Sequence, residues 1–221
     1  MGSDDLHHKR KARRAKDLAR RKSSRAPYDR VLIVCEGGKT EPNYLRELID
    51  CLKLSSANVE VDGDSGSSPI GVVEHAKRRY RVESDEGDEF DRVFCVFDRD
   101  THTTYTAAMN ASERFRPSGV FQTIPSVPCF EYWLLLHFVY STQPYDSAGG
   151  RSACDRVIGE LRNYMPGYTK RRKGIFREVM SQSNQAVVFS KRALREAENA
   201  GTDNPTTRMH ELVEYLHQLR K

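Results

Sequence analysis

Two short apolar runs in this sequence each lead directly into carboxylates. Val31–Cys35 is followed by Glu36, and Val93–Phe97 is followed by Asp98 and Asp100. Each run is too short for a buried helix and is typical of a strand that is buried on both faces. If the two strands are neighbours, about 5 Å apart, the three carboxylates converge at the carboxyl edge of an α/β sheet. The pattern therefore predicts a cluster of negative charges at one small site.

Carboxylates that lie this close together repel one another unless a cation neutralises them. Their oxygen atoms suit a hard divalent ion, so Glu36, Asp98 and Asp100 are predicted to bind Mg²⁺, with Mn²⁺ as an alternative. Such an ion suits the hydrolysis of a phosphodiester. Glu36 is interpreted as either a general base or a metal ligand. Acids also end strands as helix caps or loop residues, but the Asp-x-Asp after a second buried strand favours the metal site.

Two further residues are candidates for catalysis. Lys39 lies in the loop after Glu36, where it either contacts a phosphate or is a solvated loop lysine. Its segment, Gly37–Thr40, lacks the first glycine of a P-loop, so a nucleotide site of that type is not predicted. Glu131 begins a very apolar helix after two prolines, and it either reaches the same sheet edge or stabilises the helix dipole. His137 on that helix is interpreted as a core histidine.

Positive charge is concentrated in two segments. Residues 1–30 contain eleven Lys or Arg and four Asp, a net charge of +7, whereas the remaining residues carry a net charge of −2. This arm, which includes Arg13 and Arg14, is predicted either to bind nucleic acid or to be a solubilising tail. A loop with Tyr168 is predicted either to bind nucleic acid or to be solvated. That loop contributes the cations Lys170, Arg171, Arg172 and Lys173.

The elements that must position these residues alternate along the chain. Strands are predicted at residues 31–35, 58–62, 92–97 and 120–124, with helices between them. This order predicts an α/β fold with a Rossmann-like, mostly parallel sheet of about four strands flanked by helices. Thr40 and Ser68 are predicted to cap the first two helices, and Asp203–Thr207 to begin the last one. The predicted organisation is a basic disordered arm (1–27), an α/β core (28–140) and a C-terminal helical extension packed on the core (141–221).

Composition argues against several classes of protein. No stretch approaches the ~20 apolar residues of a membrane span, and the N-terminus has no apolar segment of a secretory signal. The five cysteines are widely spaced and form no Cys-x-x-Cys motif, so the sequence indicates neither a zinc site nor a disulfide framework. The sequence therefore predicts a cytoplasmic protein with no membrane partner.

Several motifs together resemble the RloB family. The first three are Cys35–Tyr44, Phe97–Asp100 and Pro128–Phe138, and two later ones are Gly167–Lys170 and Asn204–Thr207. The resemblance covers nearly the whole chain from about Tyr28 onward, and the ordered combination of motifs is specific.

This resemblance implies a Toprim-like domain with Glu36, Asp98 and Asp100 in a magnesium-dependent site. It also implies a nuclease that acts on DNA or RNA, including tRNA, in bacterial antiviral defence. The expected partners are nucleic acid and an ATPase of the RloA type. Two positions depart from the family pattern, since Gly38 replaces an acid and Val127 replaces an asparagine. Either change would alter metal affinity or substrate contact.

Two other functions stay open. One is a non-catalytic subunit that binds nucleic acid or the ATPase, in which the acids hold a structural ion. Metal-dependent turnover distinguishes that subunit from a nuclease. The other is a primase-like or topoisomerase-like nucleotidyl transferase, which is disfavoured because no nucleophilic tyrosine motif or nucleotide-binding loop is recognisable. The sequence also allows a homodimer.

Overall fold

A single mixed sheet runs through the molecule, seen in a computed structural model that describes residues 29–99 and 102–219. Its strands are β1 (Val31–Cys35), β2 (Val59–Asp62), β3 (Arg92–Asp98), β4 (Phe121–Val127) and β5 (Thr206–Thr207). Their order in the sheet is β2-β1-β3-β4-β5. The first four strands pair in parallel, and β5 runs antiparallel to β4. The predicted α/β class and mostly parallel sheet are confirmed.

Helices cover both faces of this sheet. They are α1 (Thr40–Leu52), α2 (Pro69–Asp85), α3 (Tyr105–Glu113), α4 (Glu131–Leu135), α5 (Ala153–Tyr164), α6 (Ile175–Val179), α7 (Ser183–Ala200) and α8 (Met209–Leu219). A 3₁₀ turn at Met180–Gln182 joins α6 to α7. None of the helices in the described ranges has the length and apolar character needed to cross a bilayer.

Alternate residues of β1 pack on opposite faces of the sheet. Val31, Ile33 and Cys35 contact the core formed with α1 and the later helices. Leu32 and Val34 contact the core formed with α2 and α3. All five side chains are fully buried, which explains why the run is apolar without interruption.

The fifth strand adds a short antiparallel edge to the predicted sheet of about four strands. Thr206 and Thr207 pair with Val127 and Ser126, so they extend the sheet. The prediction that they begin the last helix is therefore wrong. That helix begins at Met209. A strand of two residues shows no alternation of apolar and polar side chains, so the sequence pattern carried no signal for it.

One of the two predicted helix caps is also corrected. Ser68 does cap α2, because its Oγ accepts a hydrogen bond from the Gly71 N–H at 3.3 Å. Thr40 is the first residue within α1, and the capping position is Lys39, whose side chain forms no capping hydrogen bond. The Thr40 hydroxyl instead accepts a hydrogen bond from a later loop, which is described below.

The helices after residue 140 pack on the same face of the sheet as α1. Helices α5 to α8 contribute to one apolar core that also contains α1 and α4. Within it, α6 contacts α1, and α8 contacts both α1 and β4. The predicted division at residue 140 stays a prediction, and the predicted arm at 1–27 lies outside the described residues.

Candidate active site at the carboxyl edge of the sheet

The carboxyl ends of β1 and β3 bring Glu36 and Asp98 into contact. Parallel pairing aligns Cys35 with Val96, and the Glu36 N–H donates to the Val96 carbonyl at 2.9 Å. The Oε2 atom of Glu36 accepts a hydrogen bond from the Asp98 N–H at 3.1 Å. Its Oε1 atom lies 3.1 Å from Nε2 of His102. Ordinary strand pairing therefore places two of the three predicted acids side by side.

Asp98 is also tied to the start of α4. Its Oδ1 atom accepts a hydrogen bond from the Phe130 N–H at 2.8 Å. Burial raises the pKa of Asp98 well above its ordinary value, and the negative charges of Glu41 and Glu131 raise it further. A cation that entered this site would oppose both effects, because it favours the ionised carboxylate.

Glu41 is a further acid of the site, and it was not predicted from the sequence. It lies in the first turn of α1, yet it is only 8% exposed. Burial, followed by the charges of Glu131 and Glu36, raises its pKa to about 8. A signal was present in the helical spacing, because Glu41 shares one face with the buried residues Leu45 and Leu48. An acid on the apolar stripe of a helix indicates a buried charge.

Glu131 is the most deeply buried of the four carboxylates, at 2% exposure. The Tyr168 hydroxyl donates to its Oε1 at 2.8 Å, and the Cys154 thiol donates to its Oε2 at 3.4 Å. The Nζ atom of Lys170 lies 4.0 Å from the same Oε1. These partners account for the burial of a charge that would otherwise be costly. Glu131 thus lies near enough to Glu41 and Asp98 to raise their pKa values, and it is also the first residue of α4.

The basic loop, residues 167–174, is attached to α1 by hydrogen bonds. The Arg171 N–H donates to the Thr40 hydroxyl at 3.2 Å, and its carbonyl accepts from the Asn43 side chain at 3.4 Å. The two carboxylate oxygens of Glu47 accept backbone N–H groups at the end of the loop and the start of α6, at 2.5 and 3.0 Å. The loop is therefore positioned over the N-terminal half of α1 and beside the acids.

Lys170 brings a positive charge from this loop to the acid cluster. Although burial lowers the pKa of Lys170, the nearby charge of Glu131 outweighs that effect, and the net pKa is raised. The ammonium group therefore stays protonated. Its side chain is 54% exposed, so Lys170 stays accessible to solvent while its ammonium group lies beside Glu131.

A comparison against protein families identifies the family to which this chain belongs. A family profile described as RloB-like protein matches residues 31–216. The chain belongs to this family. No curated protein and no solved structure gave a significant match.

The remaining predicted residues of this RloB-like chain stand apart from the acid cluster or outside the described ranges. Lys39 is exposed at the start of α1 and takes part in none of the ion pairs seen within residues 29–99 and 102–219. Lys173 is exposed, and Arg172 pairs with Glu178. The predicted ligand Asp100 and the arm residues Arg13 and Arg14 lie outside the described residues, so their roles stay predictions.

His137 is part of the core. The Trp133 indole N–H donates to the Tyr44 hydroxyl at 2.9 Å, and that hydroxyl lies 3.5 Å from Nε2 of His137. On the other side of the ring, Nδ1 lies 3.0 Å from the Trp133 carbonyl. Burial lowers the pKa of His137 to about 4, so the ring is neutral and its hydrogen bonds stabilise the packing of α4 on α1.

Proposed function

We propose that this RloB-like protein is a Toprim-like, Mg²⁺-dependent endonuclease that hydrolyses phosphodiester bonds of DNA or RNA, tRNA included. One observation carries the proposal. Four carboxylates, those of Glu36, Glu41, Asp98 and Glu131, lie near one another at the carboxyl edge of the sheet, where burial, followed by their mutual repulsion, raises the pKa values of Glu41 and Asp98. Buried acids with raised pKa values concentrate at functional sites.

The donor set fits a hard divalent cation. Glu36, whose carboxylate is bound by the Asp98 N–H, and Asp98 offer carboxylate oxygens from neighbouring strands, and Asp100 is predicted to add a third ligand from the same Asp-x-Asp. When bound, Mg²⁺ would polarise the phosphate and lower the pKa of a water molecule. Mn²⁺ has the same preference for oxygen and is expected to substitute for it.

The protein's own groups supply the rest of the proposed chemistry. Lys170, which lies beside Glu131 on the anchored loop, would contact a phosphate oxygen at the same edge as the acids. The loop residues Arg171 and Lys173 are exposed and would bind the backbone on either side. Glu36 is held in one orientation by the Asp98 N–H, so it can either accept a proton from water or hold the ion.

We further propose that the protein acts in antiviral defence beside an ATPase partner of the RloA type, in the cytoplasm. This context rests on membership in a family associated with defence loci. The basic arm and the basic loop are suited to either nucleic acid or an acidic partner surface.

A non-catalytic binding subunit is the second candidate. The observation in its favour is that Lys170 already compensates part of the negative charge, because its ammonium group lies 4.0 Å from Glu131. An acid cluster that is partly balanced by a lysine of the same chain can contribute to structure without an ion.

Cleavage assays distinguish the two candidates. Purified protein is incubated with plasmid DNA and with total tRNA, with Mg²⁺, Mn²⁺ or EDTA, alone and together with the ATPase partner. The nuclease predicts metal-dependent cleavage that Glu36→Gln and Asp98→Asn abolish while the circular dichroism spectrum is unchanged. Glu198→Gln, an exposed carboxylate on α7, is the matched control and should cleave normally. Cleavage that survives both site substitutions would refute the proposal, and binding without turnover under every condition would support the subunit.

A further inference from the structure

Two cysteines lie directly beside Glu131. The thiol sulfurs of Cys129 and Cys154 and one carboxylate oxygen of Glu131 all lie within 4.8 Å of one another. All three residues are buried, at 1%, 5% and 2% exposure. Within residues 29–99 and 102–219, no other set of three or more His, Cys, Asp or Glu residues is gathered as tightly.

The separation of the ligand atoms suits a tetrahedral ion. In a tetrahedral zinc site, bond lengths of about 2.3 Å to sulfur and 2.0 Å to oxygen place a sulfur ligand roughly 3.5 Å from an oxygen ligand. The observed distance from Cys154 Sγ to Glu131 Oε2 is 3.4 Å. Cys154 and Glu131 would therefore need little movement to coordinate an ion, and Cys129 lies within 4.8 Å of both.

Local structure fixes the two segments that carry these ligands. Cys129 and Glu131 flank Phe130, whose N–H is bound by Asp98. Cys154 is the second residue of α5, and a capping box between Ser152 and Asp155 holds the start of that helix. Preorganised ligands lower the entropy cost of binding an ion.

We propose that Cys129, Glu131 and Cys154 form a binding site for a thiophilic divalent cation such as Zn²⁺. Thiolate ligands select zinc over magnesium, so this site differs in chemistry from the oxygen-only site of Glu36 and Asp98. Binding releases the protons of the two thiols to solvent. With three protein ligands, the fourth coordination position remains open to water.

Neighbouring groups determine how strong this binding is. The Tyr168 hydroxyl occupies Oε1 of Glu131, which leaves Oε2, the atom nearer Cys154, for the ion. Lys170 competes, because its ammonium lies 4.0 Å from Oε1 and repels a second cation. Since the Lys170 side chain is half exposed, it can withdraw into solvent when an ion binds.

The test is a titration of the full, reduced chain with Co²⁺, a spectroscopic probe for zinc sites. Coordination by thiolates gives a sulfur-to-cobalt charge-transfer absorption that oxygen ligands do not give, and added Zn²⁺ should remove it. Cys129→Ser and Cys154→Ser should each reduce the absorption and weaken Co²⁺ binding at least tenfold. Cys51→Ser is the matched control, because Cys51 lies on α1 outside this group and should bind Co²⁺ like the wild type.

A second variant keeps the test decisive if a serine variant does not fold. Lys170→Met removes the competing charge but keeps the side-chain stem, so it should tighten Co²⁺ binding severalfold, whereas Lys173→Met should leave it unchanged. Absence of the charge-transfer absorption in the folded wild-type protein would overturn the proposal. A charge-transfer absorption as strong in both serine variants as in the wild type would overturn the proposal as well. Neither outcome depends on nuclease activity.

Discussion

Replacing Glu41 with glutamine should make the protein more stable at alkaline pH, because the substitution removes a carboxyl group that is costly to ionise. Burial and the neighbouring acids raise the pKa of Glu41 from an ordinary 4.5 to about 8. The native state therefore holds the proton more tightly than the unfolded chain does. Stability conferred by this proton is present below pH 4.5 and is lost progressively as the pH rises toward 8.

The size of the effect follows from the same two pKa values. One pH unit within this window corresponds to about 1.4 kcal/mol. Integrated from pH 6 to pH 8, with the curve levelling off near the native pKa, the loss of stability is about 2 kcal/mol. Glu41→Gln has no such proton to lose. Between pH 6 and pH 8 its free energy of unfolding should therefore fall by about 2 kcal/mol less than that of the wild type.

Urea unfolding measures this difference, and the only tryptophan, the buried Trp133, reports it by fluorescence. Wild type, Glu41→Gln and the exposed control Glu198→Gln are compared at pH 6 and pH 8 in EDTA. Added Mg²⁺ should stabilise the wild type more at pH 8 than at pH 6, because the ion favours the ionised carboxylates. If wild type and Glu41→Gln show the same dependence on pH, the argument that Glu41 is a buried member of a charged cluster is wrong.

Three further predictions concern the surroundings of the site. Tyr168→Phe removes a hydrogen bond to buried Glu131 and should lower the free energy of unfolding by about 1–3 kcal/mol, and unchanged urea unfolding would contradict this. Glu47→Ala removes the acceptor for two backbone N–H groups, so trypsin should cut the basic loop at residues 170–173 faster than in wild type; equal cleavage rates would argue against the anchoring. His137 should remain neutral from pH 8 to pH 5.5 in NMR titrations, because burial lowers its pKa to about 4, and a midpoint near 6.5 would refute this. Its protonation favours the unfolded chain, so stability should fall as the pH drops below 6.5.

The sequence by itself determined the features that depend on local patterns. Unbroken apolar runs identified β1 and β3 as strands buried on both faces, because only such strands lack polar positions. Parallel strands end at a common edge, so the two runs alone were enough to expect Glu36 and Asp98 together. The alternation of strands and helices along the chain predicted the α/β class. The motifs predicted the RloB family, which the family match over residues 31–216 confirms.

Only the tertiary structure decided which distant groups complete the site. Glu131 receives its partners Cys154, Tyr168 and Lys170 from segments 23 to 39 residues later in the chain. The spacing of the cysteines argued against a zinc site, whereas folding brings Cys129 and Cys154 together. Contacts of this kind depend on how helices pack on the sheet and on backbone hydrogen bonds from loops. Neither leaves a periodic signal in the sequence, because packing joins residues whose separation along the chain is arbitrary.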